Sequence, residues 1–367
     1  MSYITAIGTA NPQHSFEQPV IARFMSKAMK LNAEEERRLF ALYRATGIET
    51  RYSVLSDYGK TNEFQFYSNS ESLEPFPSTE ERLNVFREEA LKLSLKSVEN
   101  CMHSSPFKAN QITHLIVVSC TGMYAPGLDI DLVKSLKLNH SIKRTCINFM
   151  GCYAAFNAIK LADSFCNEDD KAKVLIVCTE LCSLHFQKEN TEDNWLANAL
   201  FADGSAAILV EANSERKVKL ELKSFHCDLA VDAENEMAWS VGDFGFEMRL
   251  STYVPDAIQK GIKALTENLL SKVSSTLEDV SFFAIHPGGK RILEVIESEL
   301  KLSKSDLRHS YEVLRKFGNM SSPTVLFVLK AIFDSISEKD HGKKILSFAF
   351  GPGLTLESVL LQIHVQK

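Results

Sequence analysis

The sequence RTCINFMGCYAAFNAIKLADSF, residues 144–165, predicts a strand that leads through a tight turn into a helix. A short apolar run reaches Gly151 and Cys152, and the residues after them have helical spacing, as at Ala155 and Ile159. Cys152 is therefore predicted at a strand-to-helix turn, where the helix dipole and free N–H groups stabilise a thiolate. Glycine provides the backbone freedom that such a turn needs. The pattern predicts a nucleophile, and the alternative interpretation is a core cysteine at a helix start.

Other apolar runs predict strands that are buried on both faces. They are HLIVVSC (114–120), KVLIVCTE (173–180), AAILVE (206–211), VSFFAIH (280–286) and ILSFAF (345–350). These runs are apolar along their length, which is typical of sheets covered by helices on both sides. Helical patterns lie between them. The clearest begins at Ser78, where Glu81 completes a capping box, and others follow Pro255 and Pro287. We therefore predict a layered α/β fold.

The length of 367 residues indicates more than one unit, because single cores stop growing near roughly 250–300 residues. The charged segment 211–224 separates two strand-rich regions and is predicted to be the junction between halves. We place the boundary near residue 215, which gives an N-terminal half 1–215 and a C-terminal half 216–367. The polar, proline-containing segment 54–77 is predicted to be a surface excursion.

Charge and cysteine usage exclude several classes of protein. A net charge of −6 leaves no overall basic field to hold a nucleic acid. No apolar run is long enough to span a membrane, and we expect no membrane insertion. The eight cysteines form no CxxC pair, and the chain contains neither HExxH nor GxxxxGK[ST]. We therefore expect a cytoplasmic protein with free thiols and no metal.

Two more polar residues lie where α/β active sites gather. His286 ends a predicted strand and precedes a Pro-Gly-Gly turn, which brings backbone close to any group bound beside the imidazole. Asn319 follows Gly318 just before a predicted helix, where asparagine is most often a cap. The glycine-rich FAFGPGL (348–354) also reads as an ordinary turn between strands. Taken alone, each of these signals is weak.

Taken together, the segments resemble the type III polyketide synthases, the chalcone-synthase-like branch of the thiolase fold, with a bacterial-type pattern. The resemblance lies in IGTANP (7–12), THLIVVSCTGMYAPG (113–127), MGCYA (150–154), ALFADGSAA (199–207), IHPGG (285–289), FGNMSS (317–322) and FGPGLTLE (350–357). It implies that Cys152, His286 and Asn319 are the nucleophile, catalytic histidine and catalytic asparagine. It also implies that Phe201 and Phe246 are gating phenylalanines between a coenzyme A tunnel and a buried cavity.

The same resemblance implies a five-layered αβαβα fold of two similar halves, a homodimer, and acyl-CoA and malonyl-CoA as substrates, without a metal or other cofactor. Further positions around the implied cavity are Cys120, Ala125, Cys182, His185, Gly351 and Gly353. Candidates for binding the coenzyme A phosphates are Arg38, Arg44 and Arg291, with Arg37 and Lys290 beside them. Ala349 departs from the family's GFGPG turn. Ala125 replaces a bulkier plant residue that reaches into the partner's cavity, which leaves room for a long acyl chain.

The implied reaction is iterative decarboxylative condensation of malonyl-CoA onto an acyl group carried by Cys152, followed by cyclisation. A charged His286 would lower the pKa of the Cys152 thiol, and His286 with Asn319 would hold the malonyl thioester oxygen. We expect a long-chain alkylresorcinol or alkylpyrone, with tetrahydroxynaphthalene or another benzenoid as a second possibility. The alternatives are an initiating β-ketoacyl-acyl-carrier-protein synthase, whose GGGLTWG-like turn is absent here, and a catalytically idle scaffold.

Overall fold

The computed structural model describes residues 1–104, 107–231, 236–250 and 254–366. In the described part, the strands are β1 (Tyr3–Ala10), β2 (His14–Glu17), β3 (Thr50–Ser53), β4 (His114–Ser119), β5 (Lys143–Asn148), β6 (Lys173–Leu181), β7 (Asp203–Glu211), β8 (Val218–Leu229), β9 (Met237–Gly242), β10 (Gly245–Leu250), β11 (Val280–Ile285), β12 (Lys344–Gly351) and β13 (Thr355–Val365). The helices are α1 (Gln18–Ala28), α2 (Ala33–Ala45), α3 (Thr79–Ser104), α4 (Leu128–Ser135), α5 (Ala154–Glu168), α6 (Glu192–Leu200), α7 (Val254–Ser271), α8 (Lys290–Leu300), α9 (Arg308–Phe317) and α10 (Thr324–Ser335).

Nine strands form one sheet in the order β11-β12-β13-β8-β1-β7-β6-β4-β5. In the N-terminal half, β4 and β6 are parallel, and β6, β7 and β1 follow in antiparallel pairs. In the C-terminal half, β11 and β12 are parallel, and β12, β13 and β8 repeat the antiparallel pairs. The two halves join where β1 pairs antiparallel with β8. This repeated pairing confirms the predicted fold of two similar halves.

Two helices, α5 and α10, lie between the two halves of the sheet as the middle layer. Successive strand residues point to opposite faces. Ile116 and Val118 of β4 accordingly pack with α5 and α10, whereas Leu115 and Val117 pack with α3 on the other face. In the C-terminal half, Leu346 of β12 packs with α7 and α8 on the outer face. The result is the five-layered αβαβα arrangement.

The strands and helices predicted from apolar runs are confirmed. The capping box is also present, since the Ser78 N–H donates to Glu81 Oε2 at 2.7 Å and the Glu81 N–H donates to Ser78 Oγ at 3.3 Å. The segment 211–224, which is predicted to be the junction between halves, contains the connection between β7 and β8, and β8 begins within it at Val218. The boundary predicted at residue 215 falls in the connection between β7 and β8, and it remains a prediction.

The segment 54–77 is not simply a surface excursion. Tyr58 and Tyr67 are buried in the core beneath it. The buried carboxylate of Asp57 accepts three backbone N–H bonds from residues 65–67, at 2.8, 2.8 and 2.9 Å. Composition gave the wrong prediction because one buried carboxylate satisfies the backbone donors of a polar loop and lets its aromatic residues turn inward.

Gly8 allows β1 to lie against the backbone of α3. A Cβ at this position would lie 2.1 Å from the Cys101 backbone nitrogen and 2.3 Å from the Ser97 carbonyl oxygen. We expect Gly8→Ala to lower the free energy of unfolding by about 3 kcal/mol or more, because backbone cannot move aside as a side chain can. Urea denaturation followed by circular dichroism measures this.

Gly261→Ala, inside α7, is the matched control. Its Cβ would meet the Leu356 Cδ2 at 3.2 Å, which is a mobile side-chain end. We expect a change within about 1 kcal/mol, since alanine is the better helix former. Equal unfolding midpoints for the two variants would contradict the proposed close packing of β1 on α3.

Candidate active site

A cavity of about 300 Å³ lies where the middle-layer helices begin. Cys152, His286 and Asn319 all line it, although they are far apart in the sequence. The remaining lining is largely apolar and includes Leu200, Met237, Trp239, Met248, Leu250 and Val254. Apolar cavities with a few convergent polar groups are the usual form of a small-molecule site. The structure therefore brings together the three residues that the sequence predicts.

Cys152 lies at the predicted strand-to-helix turn. A single 3₁₀ turn, Gly151–Tyr153, connects β5 to α5, and Gly151 has φ +71°. A Cβ on Gly151 would lie 2.4 Å from Pro352 Cδ, so the turn has room only for glycine. The Cys152 Sγ is 3.9 Å from both side-chain heteroatoms of Asn319. The nucleophile candidate thus sits at the start of a buried helix.

Asn319 is fixed by both its backbone and its side chain. Its backbone N–H donates to the Leu200 carbonyl at 2.9 Å, and its carbonyl accepts from Ala202 N–H at 2.8 Å. The side-chain Nδ2 donates to the Gly288 carbonyl at 3.2 Å, and Oδ1 accepts from Ser321 N–H at 2.8 Å. The residue is not the N-cap of α10, which is Pro323. Its amide is held next to the Cys152 sulfur.

His286 follows β11 directly, and its backbone N–H donates to the Phe348 carbonyl at 2.8 Å. The residue is only 1% exposed, yet neither ring nitrogen has a hydrogen-bond partner among the residues that the structure describes. Buried polar atoms are nearly always paired, so an unpaired imidazole facing a cavity points to a ligand. His286 is therefore placed to bind or protonate a group in the cavity.

Burial acts on both titratable groups. It raises the pKa of Cys152 to about 11 and lowers the pKa of His286 to about 3. Each shift favours the neutral form, because the cavity takes the charged form out of water. This differs from the lowered cysteine pKa that the sequence predicts.

The two predicted gating phenylalanines occupy different positions. Phe201 lines the cavity at the end of α6. Phe246 is not among the described lining residues. It stacks on His185 with ring centroids 4.3 Å apart, behind Trp239, which lines the cavity in its place. A gating role for Phe246 stays a prediction, and its ring reaches the cavity lining through Trp239.

The other predicted cavity positions divide in the same way. Cys120 and Cys182 line the cavity. His185 lies behind it, where Nε2 donates to the Thr121 carbonyl at 2.7 Å and Nδ1 accepts the Phe246 N–H at 2.9 Å. Burial lowers its pKa to about 3, and these bonds fix its neutral form. Ala125 is exposed on the surface of the chain and does not line its own cavity in the described structure.

The glycine-rich turn packs against the cysteine turn. A Cβ on Gly351 would lie 2.6 Å from the Tyr153 ring and 3.3 Å from the Cys152 nitrogen. Gly353 has φ +71°, a conformation that favours glycine. Ala349 is fully buried in β12, where the departure from the family's glycine is accommodated. These contacts hold the backbone of the nucleophile candidate.

Of the three arginines predicted to bind coenzyme A phosphates, one is among the described residues that line the cavity. Arg291 lines the cavity, as does Lys290 beside it. Arg38 is exposed and pairs with Glu192 at 2.7 Å. Arg44 is exposed on α2 and is not among the lining residues described.

The described residues contain no group of three or more His, Cys, Asp or Glu side chains able to hold a metal. No helix among them is long and apolar enough to cross a membrane.

Glu180 is a site residue that the sequence analysis missed. Its fully buried carboxylate, at the end of β6, accepts from Thr121 Oγ1 at 2.7 Å, Cys120 N–H at 2.9 Å and Ser322 Oγ at 2.6 Å. Burial raises its pKa. It thereby joins the loop after β4 to the chain before α10. The available signal was a single acidic residue at the end of the apolar run KVLIVCTE.

Comparison with known proteins agrees with the motifs. The family model described as "Chalcone and stilbene synthases, N-terminal domain" matches residues 1–214, and the corresponding C-terminal domain matches residues 206–364. The chain is 30% identical over 372 residues to "Alpha-pyrone synthesis polyketide synthase-like Pks18" of Mycobacterium tuberculosis (strain H37Rv), covering 99% of this chain and 91% of that protein.

Solved structures show the same relationship. PKS-I from the brown alga Ectocarpus siliculosus superposes with a TM-score of 0.91 at 29% identity, covering 98% of each chain. The C-terminal type III polyketide synthase domain of Steely1 from Dictyostelium also gives 0.91 at 29% identity, covering 100% of this chain and 99% of that one. The chain therefore belongs to the chalcone and stilbene synthase family and is a type III polyketide synthase, an acyltransferase.

Proposed function

We propose that this enzyme loads a long-chain acyl group from coenzyme A onto Cys152, extends it with malonyl-CoA, and cyclises the product to an alkylresorcinol or alkylpyrone. The observation that carries the proposal is the convergence of Cys152, His286 and Asn319 on one apolar cavity. Cys152 lies more than a hundred residues before the other two in the sequence. A purely structural role does not explain an unpaired buried imidazole that lines the same cavity as a thiol.

In the loading step, the thiol proton of Cys152 passes to His286, and the sulfur attacks the acyl thioester carbon. A carbon–sulfur bond to Cys152 forms, the bond to coenzyme A breaks, and the leaving thiolate takes the proton from His286. Because Cys152 lies at a helix start, nearby N–H groups are available to the oxyanion. Asn319, 3.9 Å from the sulfur, contributes a further polar contact.

In the extension step, the side-chain amide of Asn319 and the imidazole N–H of His286 bind the thioester oxygen of malonyl-CoA. Carbon dioxide leaves, and its bonding electrons form an enolate whose negative oxygen these donors stabilise. The enolate carbon then attacks the acyl group on Cys152, so a carbon–carbon bond forms and the sulfur is released. The apolar lining excludes water, which favours condensation over hydrolysis. Transfer of the longer chain back to Cys152 allows another round.

The lining supports an acyl chain as the starter. Met237, Leu250 and Val254 provide apolar surface in a cavity of about 300 Å³. Flexible methionine side chains adapt to ligands of irregular shape. Phe201 borders the cavity and can narrow it. These features favour a long-chain starter over a product built from malonyl units alone.

The surroundings of the cavity support the substrate and assembly proposals. Lys290 and Arg291 supply positive charge to coenzyme A phosphates. The edge strand β5 has mostly exposed side chains, and Met123, in the chain after β4, is 44% exposed. Natural proteins usually cover such edges, so a second copy of the chain is the proposed partner. All eight cysteines are free, which fits a cytoplasmic location.

Alkylation of Cys152 tests the role of His286. Burial is the main cause that raises the pKa of this thiol to about 11. In His286→Ala the proton acceptor is lost, and we expect alkylation by iodoacetamide at pH 7 to slow by at least about tenfold. The rate of the variant should keep rising with pH towards 11, whereas the wild-type rate levels off at lower pH.

Peptide mass mapping separates Cys152 from the exposed Cys146 and Cys227, which serve as internal references. Superimposable pH profiles for the wild type and His286→Ala would show that His286 accepts no proton from Cys152.

Product analysis tests the reaction itself. Purified enzyme is incubated with radiolabelled malonyl-CoA and acyl-CoA starters of increasing chain length, beside Cys152→Ala. We expect resorcinols or pyrones containing several malonyl units from the long starters, and a loss of at least about a thousandfold in Cys152→Ala because the covalent intermediate cannot form. Cys166→Ala, at the other end of α5, should keep nearly full activity.

If the enzyme used only malonyl-acyl-carrier protein and stopped after one condensation, it would instead be a fatty-acid-type synthase. An absence of products together with an unreactive Cys152 would identify an idle scaffold.

A further inference from the structure

Arg51 of β3 is a buried cation outside the catalytic group, only 4% exposed. Its Nε donates to Gln18 Oε1 at 2.8 Å, and its Nη1 donates to the Phe201 carbonyl at 2.6 Å. Arg51 lines a separate small cavity, about 40 Å³, on which Phe201 also borders. Burying a charged side chain is costly unless hydrogen bonds or an opposite charge compensate for the lost water. The two acceptors of Arg51, Gln18 Oε1 and the Phe201 carbonyl, therefore indicate what the buried guanidinium stabilises.

The Phe201 carbonyl lies inside a short backbone ladder with the catalytic asparagine candidate. Leu200 accepts from Asn319 N–H at 2.9 Å, and Ala202 N–H donates to the Asn319 carbonyl at 2.8 Å. Phe201 and Asn319 form an isolated parallel bridge. The guanidinium thus binds the carbonyl that lies between the two hydrogen bonds to Asn319.

Arg51 also packs against the residue that precedes Asn319. Gly318 has φ +69°, and a Cβ there would lie 2.9 Å from both Cδ and Cγ of Arg51 and 2.9 Å from the Leu200 carbonyl oxygen. The aliphatic part of Arg51 therefore packs closely against the backbone of Gly318. The guanidinium and its aliphatic stem together fix the position of the Phe201–Asn319 pair.

We propose that Arg51 is a positioning residue for the extension step, which holds Phe201 and Asn319 together as one unit without touching the substrate. This inference rests on the proposed function. Cys152 and His286 are carried by other elements, and none of the hydrogen bonds described for Arg51 reaches them. Loss of the guanidinium should therefore impair malonyl decarboxylation, which uses Asn319, more than loading of Cys152.

The test compares these two partial reactions in Arg51→Lys. Lysine keeps the charge but lacks the planar fork that reaches Gln18 and Phe201 at once. We expect malonyl-CoA decarboxylation to fall by about tenfold or more, because small displacements of positioned groups have large effects on rate. Formation of the Cys152 acyl-enzyme, measured by intact-protein mass, should change by less than about threefold.

Arg82→Lys is the matched control. Arg82 is fully buried and also binds backbone carbonyls, those of Pro77, Leu184 and Phe186. None of its described bonds reaches Phe201 or Asn319. We expect a comparable fall in melting temperature with the ratio of decarboxylation to loading unchanged, which separates positioning from general stability.

Gln18→Leu provides a second, milder variant in case Arg51→Lys does not fold. It removes the acceptor of Arg51 Nε, and the ratio should shift in the same direction by about threefold. Parallel loss of both partial reactions in the Arg51 and Gln18 variants, or wild-type ratios in both, would overturn the inference. Absence of polyketide products from the wild type would instead overturn the proposed function, so the two failures are distinguishable.

Discussion

The site depends on one constraint, the meeting of two helix starts in the middle of the protein. Helices α5 and α10 are both enclosed between the halves of the sheet, and each begins beside the cavity. The chain enters α5 through Cys152 and approaches α10 through Asn319. A buried helix start leaves N–H groups that need partners, and a ligand oxygen can supply them. The position of the site therefore follows from the packing of the middle layer.

Buried polar groups then fix the loops around these helix starts. Glu180 gathers donors from the chain after β4 and from the chain before α10, and Asp57 and Asp203 do the same for other loops. A buried carboxylate that accepts several hydrogen bonds avoids the free-energy cost of an unpaired buried charge. It also specifies a single loop conformation.

The sequence was most informative where apolar period and turn chemistry agree. Uninterrupted apolar runs predicted the buried strands, and the Gly-Cys turn predicted the start of α5. Motif spacing placed Cys152, His286 and Asn319, which the fold then brings to one cavity. Composition failed for residues 54–77, because a single buried carboxylate reverses the preference of a polar segment for the surface.

The rest needed three-dimensional contacts that no local pattern contains. Phe246 and Phe201 look alike in the sequence, but only Phe201 faces the cavity, since Phe246 stacks on His185. Whether Arg51 is a surface charge or a buried one depends on its long-range partners, Gln18 and Phe201. The same holds for the cysteine pKa, because the extent of desolvation is a property of the folded cavity.

The pairing of β1 also has a consequence for how the protein is made. This strand is synthesised before its partners, β7 and β8, which follow about two hundred residues later, as in the pairing of Ile4 with Val210. At typical ribosome speeds, β1 waits about 10 to 40 s for them. During that interval a growing chain carries an apolar strand without its neighbours, which is a state prone to aggregation. Recovery of active protein from cells should therefore depend on what shields β1 until β7 and β8 emerge.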